Sequence, residues 1–194
     1  MHRMLETANC LVDESARRSV LFLDYDGVLH RGPSYRTRRG IVSSDPKIQL
    51  FEYASVLEEA LRPYVNAEVV LSTSWVPTLG FNRARDALPI SCLRARVVGA
   101  TFHSRYHDAW AWPNIGRGVQ VLRYVRVHRL RYWLAIDDHD DGFEGYDEHL
   151  VKCDEKLALG DSGTFEVLRS RLAEQFCEQS GASRLEPGQP SRSA

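Results

Sequence analysis

Apolar and polar positions fall into blocks along this chain, and the blocks switch period. Val20, Leu21, Phe22 and Leu23 form an unbroken apolar run closed by Asp24, which predicts a buried strand. Residues 67–71, 96–99, 132–136 and 149–153 predict four more. Between them the spacing turns helical. Ile48, Phe51, Ala54, Val56, Leu57 and Leu61 predict a helix that starts after Asp45, with Asp45 as N-cap and Pro46 at the first helical position. Residues 78–88 predict a second helix. Val119, Leu122, Val125 and Val127 carry a third over 116–128. A last helix spans 165–176, with Asp161 or Ser162 near its cap. Residues 30–46 contain Gly32, Pro33 and Gly40 and read as a flap or loop, and 102–114 as an aromatic loop. Residues 1–18 read as a polar lead-in, 19–177 as the folded domain, and 178–194, rich in Ser, Gly and Pro, as a disordered tail.

Strands alternating with helices predict an α/β fold: a doubly wound, mostly parallel sheet. Right-handed connections put all the strand carboxyl ends on one side. Three polar clusters then meet at one crevice: Asp24 with Asp26, Ser72 with Thr73 and Ser74, and Asp137 with Asp138. That edge is where open α/β sheets bind ligands.

Composition narrows the picture only a little. The 194 residues suit one domain, with 43% hydrophobic and 26% charged residues. A net charge of −1 gives no global signal for nucleic acid or membrane. Lysine occurs only at positions 47, 152 and 156; the remaining basic residues are arginine. Cys10, Cys92, Cys153 and Cys177 are scattered, which argues against zinc and for reduced thiols. The N-terminal stretch has no apolar signal core, and no run is long enough to span a membrane, so a cytoplasmic protein is expected.

Two carboxylates one residue apart at a strand end, Asp24 and Asp26, suit a metal site, a nucleophile with its acid–base partner, or both. An Asp-rich turn is the plainer alternative. The three clusters in this order resemble the haloacid dehalogenase-like (HAD) superfamily, mostly aspartate-nucleophile phosphatases. The first motif matches as Asp24-Tyr25-Asp26-Gly27-Val28, the second within Val69-Val70-Leu71-Ser72-Thr73-Ser74-Trp75, the fourth as Ala135-Ile136-Asp137-Asp138. Within the superfamily the chain is most similar to the HAD domain associated with Swiss-army-knife RNA-repair proteins. Leu71-Ser72-Thr73-Ser74-Trp75, Arg96-Val97-Val98-Gly99-Ala100-Thr101, Trp133 to Asp138, and the closing Leu159-Gly160-Asp161, Phe165 and Leu168 pattern carry that likeness.

The resemblance implies a Mg²⁺-dependent phosphomonoester hydrolase with an aspartyl-phosphate intermediate. Asp24 would be nucleophile and metal ligand. Asp26 would be the general acid and base, with its carbonyl on the metal. Asp137 and Asp138 would complete the metal shell, one of them through water. Thr73, with Ser72 and Ser74 as alternates, would hold the phosphoryl oxygens. The family's third motif supplies a lysine; this chain has Arg117 there and no lysine. A guanidinium keeps the charge but not the shape of an ammonium.

Only residues 30–46 are available for a cap between strand one and helix one, so a minimal cap and an open site are expected. Arg31, Arg36, Arg38 and Arg39 in that stretch, with Trp75, Trp110 and Trp112, suit a nucleotide or an RNA or DNA phosphate end as substrate. Solvated loop arginines and core aromatics are the plainer alternative for each. Two rival readings stay open. One is a phosphate- or nucleic-acid-binding module that kept the fold without turnover. The other, less suited, is a receiver-type signalling domain, which is shorter and uses a late lysine that this chain lacks.

Overall fold

The structure, a computed structural model, describes residues 18–176. The expected lead-in and tail, with Cys10 and Cys177, lie outside the described residues. Five strands form one parallel sheet: β1 (Ser19–Leu23), β4 (Glu68–Leu71), β5 (Val97–Ala100), β6 (Tyr132–Asp137) and β7 (Leu150–Lys152), in the order β5-β4-β1-β6-β7. A separate antiparallel hairpin, β2 (Ser34–Thr37) with β3 (Gly40–Ser43), follows β1. The helices are α1 (Ala54–Leu61), α2 (Trp75–Leu79), α3 (Phe81–Asp86), α4 (Ser91–Arg96), α5 (Arg117–His128) and α6 (Ser162–Phe176). No described helix is long and apolar enough to cross a membrane.

Every residue of β1 is buried, because the central strand of a parallel sheet is covered on both faces. Successive side chains point opposite ways. Leu21 and Leu23 join Val69, Leu71, Leu134 and Ile136 on the face covered by α1 and α6. Val20 and Phe22 join Val70, Trp133 and Ala135 on the face covered by Val121 and Leu122 of α5. From β1 the chain moves outward through β4 to β5. It then crosses back over α5 to β6 on the other side of β1, so the sheet changes direction between β1 and β6. The register matters more than the topology. Leu23 is level with both Leu71 and Ile136. The next residue on each strand is therefore Asp24, Ser72 or Asp137, and all three leave the sheet at one height.

Three expectations need correction. The stretch 30–46 is not a plain loop: a hairpin occupies its centre. The first helix begins at Ala54 rather than after Asp45. Asp45 instead closes a turn, accepting from the Lys47 amide at 2.9 Å, and Phe51 takes a left-handed φ of 62° that no helix can continue through. That turn sends the Phe51 ring against Tyr25 and Trp75 at centroid distances of 5.1 and 5.2 Å. The expected helix over 78–88 is two short ones, split at Gly80 with φ 87°, and α4 was not anticipated. The last helix follows the expectation, with Asp161 accepting from the Thr164 amide at 2.7 Å.

Candidate active site

The crevice is built where β1, β4 and β6 end. Asp24 leaves β1 almost wholly buried. Its Oδ1 accepts from the Tyr25 amide at 2.8 Å, and its Oδ2 accepts from Arg117 Nη2 at 3.3 Å. Tyr25 points the opposite way, into the core, and donates its hydroxyl to the Ala84 carbonyl. The chain then makes a helical turn, with the Leu29 amide on the Tyr25 carbonyl at 2.9 Å. That turn brings Asp26 back to the crevice and sets His30 beside it. Gly27 in this turn has φ 66°, and a Cβ there would lie 2.5 Å from Asp138 Oδ2. The absence of a side chain at 27 is what lets the Asp138 carboxylate approach.

Asp24, Asp137 and Asp138 each bring a carboxylate oxygen within 4.8 Å of the others. Arg117, the first residue of α5, reaches in between them. Its Nε lies 3.1 Å from Asp137 Oδ2, and its Nη1 donates to the Ser72 carbonyl. Gly118 allows this entry: a Cβ there would overlap the Gly142 carbonyl at 2.1 Å, so the helix start is pressed against the acidic loop after β6. One guanidinium thus faces three carboxylates. Burial raises the pKa of Asp24, more than Arg117 lowers it, and the Asp26 charge raises it further. Burial and the Asp24 charge raise Asp137 well above the ordinary carboxylate value. The same two causes push Asp138 up to about 6. Burial works against the charge of Arg117, but the surrounding Asp24, Asp137, Asp138 and Asp141 hold its pKa up.

Thr73 is buried beside Asp24, whose pKa it helps to lower, and its Oγ1 accepts from the Trp75 amide at 3.3 Å. Ser74 is exposed and donates to Asp26 Oδ2 at 3.3 Å. Ser72 is brought to the crevice by its carbonyl only; its hydroxyl is buried without a hydrogen-bond partner. Two neighbours of Asp26 were not expected. His30, fully buried, places Nε2 3.2 Å from Asp26 Oδ1, and the Trp75 indole donates to Asp26 Oδ2 at 3.1 Å and to Ser34 Oγ at 2.9 Å. The i,i+4 spacing of Asp26 and His30 was the available signal, visible only once residues 25–29 are known to form a helical turn.

A family model described as the HAD domain in Swiss Army Knife RNA repair proteins matches residues 20–162. The chain belongs to this family. No curated protein matches the chain. HAD membership supports a phosphatase-like function and brings the expectation of Mg²⁺, which HAD proteins generally use. The donors fit such an ion. All are hard carboxylate oxygens, their charge exceeds that of the one arginine among them, and Asp137 Oδ2 is buried with no hydrogen-bond partner despite its closeness to Arg117. Beside this HAD crevice opens a cleft of about 530 Å³, lined by Ser74, Thr78, Trp112, Arg117, His139 and Asp141 among others. The minimal cap holds too: apart from short turns, the hairpin is all that the chain inserts between β1 and α1.

Proposed function

We propose that the protein is a Mg²⁺-dependent phosphomonoester hydrolase acting through Asp24 as nucleophile on nucleotide or nucleic-acid phosphate ends. The observation that carries this reading is the meeting of Asp24, Asp137 and Asp138 around Arg117 at the ends of β1 and β6, with Asp26 two residues beyond Asp24. Asp24, Asp137 and Asp138, with the Asp26 carbonyl, would hold the ion. When bound, the ion supplies the positive charge that lets an anionic carboxylate approach an anionic phosphate.

The remaining work falls to the chain. An Asp24 carboxylate oxygen attacks phosphorus and the ester P–O bond breaks, giving an aspartyl-phosphate. Asp26, protonated at this step, passes its proton to the leaving oxygen. Asp26, now a carboxylate, takes a proton from water as that water attacks the aspartyl-phosphate, which releases phosphate and restores Asp24. Thr73 and Ser74 hold phosphoryl oxygens, and Arg117 balances the charge on Asp24 and the transferred group. The open 530 Å³ cleft next to Arg117 has room for a nucleotide-sized leaving group. The domain that carries these roles is proposed to span 19–177.

The test is phosphate release from an aryl phosphate and from 5′- and 3′-phosphorylated oligonucleotides, with and without Mg²⁺. Metal-dependent release from wild type, lost in Asp24→Asn, is the expected result. Release that persists in Asp24→Asn, or is independent of Mg²⁺, overturns the mechanism; turnover of sugar phosphates alone overturns the substrate class.

One observation favours a second reading, a phosphate-binding module without turnover. The Arg117 guanidinium spans Asp24 Oδ2, Asp137 Oδ2 and the Ser72 carbonyl at once, where an ammonium would be a single point charge. Arg117→Lys separates the two: gain of release in this variant, from a silent wild type, supports the binding module.

A further inference from the structure

The arginines expected to draw in a polyanion were those of the hairpin, and two of them are committed elsewhere. Arg31 pairs with Glu52 through Nε and Nη2, and Arg36 donates to the Thr78 carbonyl. Arg38 and Arg39 stay exposed on the hairpin without an ion-pair partner among the described residues, but a larger group of unspent positive charge lies elsewhere. Residues 99–131 contain six arginines against one acidic residue, Asp108, in a chain whose net charge is −1. Arg117 enters the crevice. Arg105, Arg123, Arg126, Arg129 and Arg131 are exposed, and among the described residues none of them has an ion-pair partner.

One of them, Arg123, lines a groove of about 620 Å³ between the β5 edge of the sheet and α5, and Arg126 follows it three residues later on the same helix. The walls of the groove are mostly rings: His103, Tyr106 and His107 from the aromatic loop, Tyr124 and His128 from the helix, with Arg123 between them. Tyr124 and His128 stack at 4.0 Å, so the helix presents a ready-made flat surface. Burial, and then the charge of Arg123, lower the His107 pKa, so the excess positive charge is felt inside the groove. Tyr106 is 72% exposed and Trp110 91% exposed on the same loop. Of the three tryptophans considered for base stacking, Trp110 alone is free to do it; Trp75 and Trp112 are buried.

We propose that the groove between β5 and α5 is a docking site for single-stranded nucleic acid, with Arg123 and Arg126 meeting phosphates and Tyr106 and Trp110 stacking bases. Unpaired arginines beside exposed aromatic faces suit a strand whose bases are unstacked, and a duplex hides those faces. The groove begins at residues 99–101, at the carboxyl end of β5, which is two strands and roughly 10 Å across the sheet from β1. The loop that lines the groove through His107 lines the catalytic cleft through Ala109 and Trp112. A strand in the groove therefore has a direct route to Asp24. Only this last orientation rests on the phosphatase reading; the binding does not.

The experiment is fluorescence anisotropy in EDTA with labelled single-stranded oligouridylate and oligothymidylate. A duplex of the same length, phosphatidylserine vesicles and polyglutamate serve as competitors. Both single strands are expected to bind, with log affinity falling against log salt at a slope of about −2 to −3, the signature of three or four phosphate contacts. The double variant Arg123→Glu/Arg126→Glu is expected to weaken binding at least about tenfold, and Tyr106→Ala/Trp110→Ala about tenfold. Arg129→Glu/Arg131→Glu, farther along, replaces the first variant if that one fails to fold. Unchanged affinity in the charge-reversed and aromatic variants overturns the proposal, as does stronger competition by duplex, vesicles or polyglutamate than by single strands. The two readings fail separately. Aryl phosphate release that is intact in Arg123→Glu/Arg126→Glu, with oligonucleotide binding unaffected, sinks the groove alone. Absent release in wild type, with binding lost in that variant, sinks the phosphatase alone.

Discussion

Arg117 and Arg123 stand six residues apart on one helix and live in different media. Arg117 is 15% exposed, wedged among carboxylates whose own pKa values are raised by burial. Arg123 faces solvent with no acidic partner among the described residues. A guanidinium surrounded by low-dielectric protein acts strongly on its buried neighbours and resists screening. One in water acts over a Debye length and is switched off by salt. The same residue type thus serves as a fixed structural charge at the first turn of α5 and as a diffuse attractor further along it.

The largest expected effect lies at the buried end. Asp24→Asn should lower phosphate release at least about a thousandfold while the protein stays folded, measured by single-turnover release and circular dichroism. Arg117→Ala strands Asp24 and Asp137 without their counter-ion and should cost about 3 kcal/mol in urea unfolding with EDTA. A smaller loss would mean that the carboxylates answer by taking up protons. Gly27→Ala puts a Cβ into a left-handed turn and against Asp138, and should destabilise by about 2 kcal/mol and weaken Mg²⁺ binding by calorimetry.

The pH dependence tests the same contrast. A carboxylate held near 6 in the folded protein binds its proton more tightly than in the unfolded chain. Stability from Asp138 is therefore greatest below its ordinary value near 4, and falls as pH rises through about 6. Asp24 and Asp137 carry the same sign. Mg²⁺ requires the deprotonated groups, so its stabilising effect on the melting temperature should be larger at about pH 7.5 than at about pH 5. Equal stabilisation at both would argue against these three ligands. The smallest effect belongs to the exposed end: Arg123→Ala should stay within about 0.5 kcal/mol of wild type. A loss comparable to that of Arg117→Ala would erase the distinction between the two sites.

Much of the crevice was legible because it sits where a strong local signal ends. Val20 to Leu23 and Tyr132 to Ile136 are apolar runs that admit little besides buried strands, and the acids follow at once. The match in register could not be read, since pairing of Leu23 with Ile136 joins segments more than a hundred residues apart. The hairpin was missed because its strands are mostly exposed and Gly40-Ile41-Val42-Ser43 does not alternate apolar with polar residues, although Ile41 packs against the core. The late start of α1 was missed because Phe51 trades a helical φ for contacts with Tyr25, His30 and Trp75, a tertiary gain with no trace in local spacing. His30 escaped notice for the same reason: its partner depends on the turn that carries it.

The placing of β1 between β4 and β6 has a consequence for how the protein is made. As the chain emerges from the ribosome, β1 gains β4 early, but its other edge stays open until residues 132–137 have been synthesised. Throughout that interval a strand that is buried along its whole length in the finished fold offers a row of unpaired amides and carbonyls to any passing chain. Arrival of β6 closes that edge and delivers Asp137 and Asp138 in the same step. Protection from misassembly and completion of the acid cluster are thus one event, and a nascent chain released before it carries Asp24 and Asp26 without their partners.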